Sequence, residues 1–563
     1  MSNFFTDNPD LMFTLKNLDM EEIVALREND YKQAEQFDYA PENYEDAMDN
    51  YKRVMTEIGE ITGERIAPRS RQVDEEGPTF KDGVVKYHPL TDRNLQDLKD
   101  AGVMGVMLPR QYGGLNFPTT IYTMMTEMVA RADASLQNLI GLQDIAETIC
   151  EFGSEEQRQK SLPRFASGEA DGSMDLTEPD SGSDLQSVRL QATKGEDGKW
   201  YLNGMKRFIT NGCSKIHLVL ARSKEGTVDG RGLSMFICEA CPELKVRRIE
   251  HKLGIHGVPT AELQYNNVPA ELCGQERRGL TKYVMSLMNG ARVAISGQAL
   301  GIAEAAYREA KKYASERVQF RQSIDQFPAI YDMLAKMKIK VTAARALLYE
   351  TTRMVDLRYA YVAQDERGEK AKFYSKVAAV LTPMCKALAT EIANQVAYDS
   401  IQIHGGTGYM HDFDVERYYR DARITNIYEG TTQLQVVAAI GGIMQRVLDP
   451  IISEMLEMSC EGFDPALLKK VGVMFAKQKE AVQFVADKKD SAYHDLRARN
   501  LVENETFVFV SLLMLRDAKK DAKRLPLAER YILDAAHDFE RNYQVIMSGD
   551  LSTIEKHRDV IDY

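Results

Sequence analysis

The sequence predicts an α+β protein, in which a small β-domain lies between two helical domains and further helices follow at the carboxyl end. Residues 46–170 place apolar side chains at helical spacing, and residues 171–276 switch to short alternating runs between turns. Residues 277–447 then return to long helices rich in Ala and Met. The chain has 563 residues, 44% of them hydrophobic, which is enough for several buried cores.

The amino-terminal helical domain is predicted from four stretches with apolar residues three and four apart, at 46–64, 95–107, 119–132 and 136–152. Residues 1–45 are acidic and aromatic, and we expect them to form a separate leading arm. The chain does not start with a basic segment followed by an apolar one, as a secretory signal would, and it starts too acidic for a mitochondrial presequence. We therefore expect a cytoplasmic protein.

The β-domain is predicted from four alternating runs, WYLNGMKRFIT, IHLVLARS, LSMFICEA and AELQYNNV. Three long helices are expected after it, at 295–316, 328–357 and 370–402. Asp449-Pro450 marks a boundary, because this dipeptide favours a turn. The extra carboxy-terminal domain, 451–563, is predicted as three or four helices, broken near Gly462, Asn500 and Pro526.

Composition argues against several classes of partner. The net charge is −13, and the tail from 451 to 563 holds 17 Lys and Arg against 20 Asp and Glu, so we expect no nucleic-acid partner. The sequence contains no run of about eighteen apolar residues, so no membrane-spanning helix is predicted. Seven scattered cysteines favour reduced thiols, and Cys238 and Cys241 lack the two further ligands of a zinc site, so we expect no metal.

The most informative segment is QIHGGTGYMHDFDVERYYRDARITNIYEGTTQLQ, residues 402–435. Its glycines let the backbone approach a cofactor closely. Glu429, between an aromatic residue and a glycine, is placed like a general base that works in a dry pocket. The order of these features resembles the carboxy-terminal signature of acyl-CoA dehydrogenases, including their catalytic glutamate.

Four other segments carry the same resemblance in the same order. LTEPDSGSDL (176–185) resembles the family's TEPxAGSD motif, with Ser181 replacing alanine, and GMKRFITNG (204–212) resembles GxKxWITNG. KLGIHGVPTAEL (252–263) resembles KLGIRGSPTAEL, which supports strand register and closure of the β-domain. RVQF (317–320) resembles RxxFG. The resemblance implies the acyl-CoA dehydrogenase fold, with helical, β and four-helix-bundle domains, and it covers about residues 90 to 440.

The resemblance also implies FAD as the cofactor, which suits a chain that has no GxGxxG after a strand. Leu176 and Thr177 would contact the pyrimidine edge of the flavin, and Ser183 would lie near its phosphates. Phe208 takes the place of a tryptophan that shields the flavin, and Thr210 would hydrogen-bond towards flavin N5.

The far end of FAD would be bound by a neighbouring subunit, where the Arg317 guanidinium suits a diphosphate. Arg321 and Pro328 replace the family's glycine and glutamine, so the contacts to adenine stay open. The chain would then be a homodimer or homotetramer with FAD bridged between subunits. The remaining FAD contacts implied by the resemblance are Gln319, Phe320, Gln402, Gly405, Gly406, Thr431 and Gln433.

The acyl-CoA substrate would be held by Ser183, Asn289, Arg292, Tyr428 and Gly430. Some family members carry the base immediately before the arginine of the earlier helix. Here that position is Ala291, so Glu429 is the only candidate on motif grounds. Burial should raise the pKa of Glu429, and its amide and a ribityl hydroxyl of FAD would hydrogen-bond the thioester carbonyl.

The predicted reaction is α,β-dehydrogenation of the acyl-CoA thioester, with electrons passed to an electron-transfer flavoprotein. Two other functions stay open: an acyl-CoA oxidase that uses oxygen, and a flavin-containing nucleic-acid-binding relative. The tail resembles that of extended family members, such as the very-long-chain and 3-methylmercaptopropionyl-CoA enzymes, and a peripheral membrane contact there is left open. No motif identifies the acyl group.

Overall fold

The computed structural model describes residues 2–142 and 144–563. It confirms the predicted α+β class, since helices, a β-sheet and helices follow one another along the chain, with more helices at the carboxyl end. The amino-terminal helices are α1 (Pro9–Asn17), α2 (Glu21–Arg27), α3 (Tyr44–Glu60), α4 (Ser70–Glu76), α5 (Pro89–Asp100), α6 (Thr119–Ala132), α7 (Ala134–Gly141), α8 (Asp144–Phe152) and α9 (Glu155–Ala166).

Local chemistry explains where several of these helices begin. The Asn8 side chain accepts hydrogen bonds from the first turn of α1, and Asp133 does the same for α7. Ser154 and Gln157 form a capping box at the start of α9. A short hairpin, β1 (Thr79–Lys81) and β2 (Val84–Lys86), interrupts the helical region.

The middle of the chain forms a seven-stranded sheet, in the order β3-β6-β4-β5-β9-β7, with β8 on β9. Most pairs are antiparallel, β3 and β6 are parallel, and β6 also pairs with β7, so the sheet curls back on itself. Its strands are β3 (Gly172–Asp175), β4 (Gln191–Lys194), β5 (Trp200–Thr210), β6 (Ile216–Arg222), β7 (Leu233–Glu239), β8 (Leu244–Ile249) and β9 (Thr260–Cys273).

A bundle of long helices follows the sheet. In it α10 packs against α6 and α12, and α11 packs against α12. A small hairpin, β10 (Val318–Gln319) with β11 (Gln322–Ser323), separates the first two long helices. The helices are α10 (Met285–Glu316), α11 (Pro328–Asp365), α12 (Glu369–His404), α13 (Val415–Thr425) and α14 (Thr432–Met444).

The tail adds helices that pack on this bundle. Because α17 runs unbroken through Asn500, the break predicted there is wrong; the Asn500 Nδ2 donates to Asn542 Oδ1 over 3.1 Å and so ties α17 to α18. The tail helices are α15 (Asp449–Leu456), α16 (Pro465–Lys488), α17 (Ser491–Lys520), α18 (Leu525–Met547) and α19 (Ser552–Ile561).

One hydrophobic core joins these regions. It contains Leu11 of α1, Met128 of α6, Leu347 of α11 and Leu513 of α17, none of them more than 1% exposed. The first 45 residues, for which the sequence suggested a separate arm, therefore share the main core. Within the described residues no single helix is long and apolar enough to cross a membrane. The helices α14 and α15, which meet at an angle of 71°, are long and apolar enough only when taken together.

Candidate active site

Glu429 lies in the short turn between α13 and α14. Its φ is +52°, and that of Gly430 is +90°. A glutamate in this left-handed region is uncommon and must be held there by its surroundings. Thr431 ends the turn, where its hydroxyl accepts a hydrogen bond from the Leu434 amide over 3.3 Å and so caps α14.

The turn is held from below by Lys386 of α12, which the sequence analysis missed. Lys386 is completely buried, and its ammonium donates to the carbonyls of Tyr428 over 3.1 Å and Gly430 over 2.7 Å. The Gln435 side-chain amide donates to the Gly430 carbonyl over 2.7 Å and to the Glu429 carbonyl over 3.3 Å. Carbonyls on both sides of Glu429 are therefore fixed by buried side chains.

Charge and burial act in opposite directions on Glu429. Burial raises the pKa of its carboxyl to about 7, against the opposing effect of the positive charges of Lys386 and Arg292. Burial also lowers the pKa of Lys386 to about 7. Arg292 lies on α10, is 7% exposed and donates to Asn289 Oδ1 over 3.1 Å. A carboxyl with a pKa near neutral pH suits a general base.

Glu429 lines a cavity of about 50 Å³ between the bundle and the sheet. Thr210 at the end of β5 and Ala291 of α10 share its wall, as do residues of α7 and α8. The Tyr428 hydroxyl lies 3.1 Å from Asn138 Oδ1 and within hydrogen-bond reach of the side-chain oxygen of Gln298, so this ring is fixed against α7 and α10. The structure thus brings Thr210 of the GMKRFITNG motif and Glu429 of the carboxy-terminal motif to one cavity.

The loop that begins with Leu176 is fastened to β5. The Arg207 amide donates to the Thr177 carbonyl over 3.0 Å, and Lys206 Nζ donates to Glu178 over 3.0 Å and to the Leu176 carbonyl over 2.8 Å. Ser183 lies exposed further along this loop.

Phe208 has the left-handed φ of +60° at an irregularity of β5. Its ring is 52% exposed, although it is a large apolar side chain. An exposed aromatic residue held in a strained conformation indicates a surface that another group covers.

A second group of predicted residues lies at the far end of α10. Arg317, Gln319 and Phe320 are exposed there on the β10–β11 hairpin, and none of them lines the Glu429 cavity. Arg317 makes no ion pair with any described residue. Phe320 has a φ of +51° and is 88% exposed.

The glycine turn after α12 lies at the same end, because Tyr313 stacks on His404 and its hydroxyl lies 3.2 Å from that of Thr407. A Cβ added to Gly405 or Gly406 would meet no atom within 4 Å, so both glycines border open space. Of the other predicted residues in these segments, Gln402 and Gln433 are exposed.

These two groups fit the two ends of an FAD. An unpaired guanidinium beside an open glycine turn suits a diphosphate. The half-buried Thr210 shares the Glu429 cavity, and the exposed Phe208 lies two residues before it on β5, where the motif predicts the flavin ring. No group of three metal-binding side chains occurs among residues 2–142 and 144–563.

Comparison with known families matches nearly the whole chain to acyl-CoA dehydrogenase models. The amino-terminal domain model covers residues 49–169, the middle domain 173–268 and the carboxy-terminal domain 278–444. A further model, described as acyl-CoA dehydrogenase C terminal, covers residues 449–552.

Among similar proteins, the 3-methylmercaptopropionyl-CoA dehydrogenase of Ruegeria pomeroyi is 34% identical over 420 residues, which are 70% of each chain. The structure of butyryl-CoA dehydrogenase from Megasphaera elsdenii matches with a TM-score of 0.61 and 31% identity, over 70% of this chain and 98% of that one. A chain from a structural study of the electron transferring flavoprotein of Acidaminococcus fermentans matches with a TM-score of 0.60 and 32% identity, over 69% of this chain and 96% of that one.

An acyl-CoA dehydrogenase from Bacillus anthracis, complexed with FAD, matches 88% of both chains with a TM-score of 0.76. Its identity is 23%, so this likeness concerns the fold alone.

Proposed function

The chain belongs to the acyl-CoA dehydrogenase family, whose members are FAD-dependent oxidoreductases, and we propose that it converts an acyl-CoA thioester to the trans-2-enoyl-CoA with Glu429 as the α-proton base. The observation that supports this most directly is the position of Glu429. It is a half-buried carboxyl with a pKa of about 7, on a turn fixed by Lys386, facing a cavity that also contains Thr210.

FAD, when bound, supplies the acceptor for the hydride that leaves the β-carbon. The chain itself has to bind the thioester, remove the α-proton and stabilise the charge that develops on the thioester oxygen. The Glu429 amide donates to no other group among the described residues, so it is free to hydrogen-bond that oxygen. The same residue would then supply both base and oxyanion donor.

Leu176, Thr177, Ser183, Phe208 and Thr210 would hold the flavin end of FAD, as the motifs imply. The Arg317 hairpin and the Gly405 turn would hold the diphosphate end for a neighbouring subunit, since neither lines the cavity of its own chain. FAD would be bridged between subunits of a homodimer or homotetramer. Thr431 and Gln433, directly after Glu429, would contact the adenosine diphosphate end.

Substrate contacts beyond the cavity belong to α10 and the turn. Asn289 and Arg292, joined by a hydrogen bond of 3.1 Å, would bind the pantetheine or adenosine part of CoA. Tyr428 and Gly430 flank the base and would contact the thioester. The electron acceptor we propose is an electron-transfer flavoprotein, in line with the Acidaminococcus fermentans structure named above.

Anaerobic titration tests this function. Purified holoenzyme is mixed with acyl-CoAs of different length, and the visible absorbance of the flavin is followed. We expect bleaching by at least one thioester, and Glu429→Gln should bind that thioester without bleaching, because glutamine cannot accept the proton.

The matched control is Glu505→Gln. Burial raises the pKa of Glu505 to about 7 as well, but this residue lies on α17 in the tail. Bleaching must persist in this variant. If Glu429→Gln bleaches at the normal rate, Glu429 is not the base; if FAD-loaded wild type is bleached by no thioester, the dehydrogenase proposal fails.

A further inference from the structure

A second, larger cavity adjoins the one beside Glu429. It has a volume of about 400 Å³ and is enclosed by α8, the start of α10, the end of α11 and the amino-terminal segment near Arg27. Asp144 and Leu287 line both cavities. In the proposed reaction the α-carbon of the acyl group lies beside Glu429, so a longer acyl group has to pass these two side chains.

The walls of this passage contain buried polar atoms without partners. Asp144 is 7% exposed and Gln137 is 1% exposed, yet Asp144 Oδ1 and Gln137 Oε1 accept no hydrogen bond from any described residue. Leaving such a group buried and unpaired costs about 1–3 kcal/mol. A hydrocarbon ligand would leave these acceptor atoms without hydrogen bonds, whereas a ligand that donates hydrogen bonds would satisfy them.

The charge of the larger cavity has one dominant sign. Four carboxylates line it, while Arg27 is the only cation among its described lining residues. Arg27 is already engaged, since its guanidinium donates to the backbone carbonyls of Asn116 over 2.7 Å and Met107 over 2.8 Å. The carboxylates are those of Asp144, Glu147, Glu151 and Asp356.

Two of these carboxylates have clear hydrogen-bond partners, whereas Asp144 has only the nearby Tyr122 hydroxyl, which acts to lower the pKa of its carboxyl. Asp356 accepts hydrogen bonds from the backbone of Thr119 and Thr120, and Glu151 accepts one from the Ser286 hydroxyl over 3.0 Å. Glu147 accepts none from the described residues, like Asp144 Oδ1. Burial and neighbouring carboxylates raise the pKa of both; that of Glu147 rises to about 7 even though the positive charge of Arg27 opposes the rise. A cation between them would relieve this repulsion.

We propose that the substrate is an acyl-CoA whose acyl chain ends in a positively charged, hydrogen-bond-donating group such as an ammonium, bound by Asp144 and Glu147. This inference rests on the proposed function, because it assumes that the thioester lies beside Glu429. The same carboxylates would reject an acyl chain that ends in a carboxylate, since like charges repel most strongly where water is excluded.

The test compares three thioesters of nearly equal shape, namely heptanoyl-CoA, 6-aminohexanoyl-CoA and adipyl-CoA, together with ω-amino and unsubstituted pairs from C4 to C8. Calorimetry on FAD-loaded Glu429→Gln measures binding without turnover. At one chain length or more we expect the ω-amino thioester to bind at least tenfold more tightly than its unsubstituted partner. Adipyl-CoA should bind most weakly.

Asp144→Asn keeps the shape of the side chain and removes the charge. It should abolish the preference for the amino group while leaving heptanoyl-CoA binding within about twofold, because only an ionised carboxylate attracts the ammonium strongly. Asp92→Asn, a change on α5 that lines neither cavity, is the control and should leave both affinities unchanged.

The other outcomes distinguish a failure of this inference from a failure of the proposed function. Unsubstituted chains that bind as tightly as ω-amino chains at every length, or an Asp144→Asn change that weakens both classes equally, would show that the carboxylates do not select the acyl tail. If unsubstituted acyl-CoAs bleach wild-type flavin while ω-amino ones neither bind nor bleach, the inference fails and the dehydrogenase proposal stands. If ω-amino thioesters bind selectively and no thioester bleaches the flavin, the selection by these carboxylates stands and the dehydrogenase proposal fails.

Discussion

Replacing Lys386 with methionine should shift the pH dependence of the reaction more than it harms the fold. The side chain is completely buried under the Glu429 turn, and methionine fills a similar volume without a charge or a donor. The Tyr428 carbonyl would lose the only hydrogen bond it has among the described residues, whereas the Gly430 carbonyl would keep the one from Gln435.

The magnitude follows from these contacts. One buried carbonyl left without a donor costs about 1–3 kcal/mol, which lowers stability without unfolding a chain of this size. Because the pKa of Lys386 is itself about 7, its charge is present mainly below neutral pH; losing it should raise the pKa of Glu429 above its value of about 7. Each unit of increase corresponds to 1.36 kcal/mol. If the increase is about one unit, the ionised fraction at pH 7 falls roughly fivefold, and the rate of flavin reduction should fall with it.

The assay is single-turnover flavin reduction by a saturating acyl-CoA between pH 6 and 9.5. Wild-type rates should rise with pH through about 7, as Glu429 loses its proton. The rise of Lys386→Met should occur about one unit higher and reach a plateau near the wild-type rate. Lys386→Gln, which keeps a donor but no charge, separates the two roles: it should restore stability but retain the displaced pH profile.

Lys340→Met provides the control. Burial lowers the pKa of Lys340 as it does that of Lys386, but Lys340 is only partly buried, lies on α11 and does not line the Glu429 cavity. Its profile should match wild type. An unchanged rise for Lys386→Met, with a normal plateau, would refute the view that Lys386 tunes the base. A flat profile with a low rate at every pH would instead mean that the turn has lost its geometry.

Three further predictions concern the cofactor, the subunits and the tail. Arg317→Leu should lower FAD content at least tenfold, measured by absorbance after gel filtration, while Arg321→Leu should not, since the motif places only Arg317 at the diphosphate. Mixed dimers of Arg317→Leu with Glu429→Gln should regain activity if FAD is bridged between subunits; if each chain binds FAD alone, mixing restores nothing. Burial raises the pKa of Glu350, but the Arg516 and Arg353 guanidinium groups outweigh this effect and lower the pKa from 4.5 to about 2. The ionised carboxylate therefore stabilises the fold fully above pH 4.5, and this stabilisation is lost as the pH falls towards 2. Arg516→Leu should therefore destabilise the protein by about 3 kcal/mol at pH 7, seen as a lower Tm, and by much less at pH 2.

Periodicity predicted most of the fold because each region has a clear pattern. The run WYLNGMKRFIT coincides with β5, and residues 119–132 coincide with α6. The tail was harder to predict, since an asparagine inside a helix is a weak signal: α17 passes through Asn500, whose side chain bonds to α18. Tertiary contacts outweigh the modest helix propensity of a single residue.

Some residues of the candidate site were also predictable from the sequence, and others were not. The motifs predicted that Glu429 and Thr210 act at the same site, because each motif is a short string of residues that can be recognised from the sequence alone. The structure places both residues in one cavity. Lys386 was missed, although a lone lysine among apolar residues of α12 is a visible irregularity, because its partners are 42 and 44 residues away. Asp144 and Glu147 were missed for the same reason: only the packing of α8 against α10 and α11 puts them in a cavity.

An ion pair of Arg420 on α13 connects the helix that precedes the Glu429 turn to the amino-terminal helices. Arg420 pairs with Asp74 and with Glu416, over 2.6 Å each. Asp74 belongs to α4, so this pair joins the amino-terminal helices to the helix that precedes the Glu429 turn. The positive charges that act on Glu429 are those of Lys386 and Arg292.

The KLGIHG segment completes the connection between the sheet and the base. Gly254 lies so close to α13 that a Cβ there would stand 2.5 Å from the Arg420 carbonyl carbon, and the Ile255 amide donates to the Asp421 carboxylate over 2.5 Å. The β-domain, which holds Thr210, is thereby locked to the helix that leads into Glu429. Gly254→Ala should push these two apart. Because a proton transfer and a hydride transfer depend on distances of about 3 Å, such a shift should lower the rate of flavin reduction far more than the affinity for FAD.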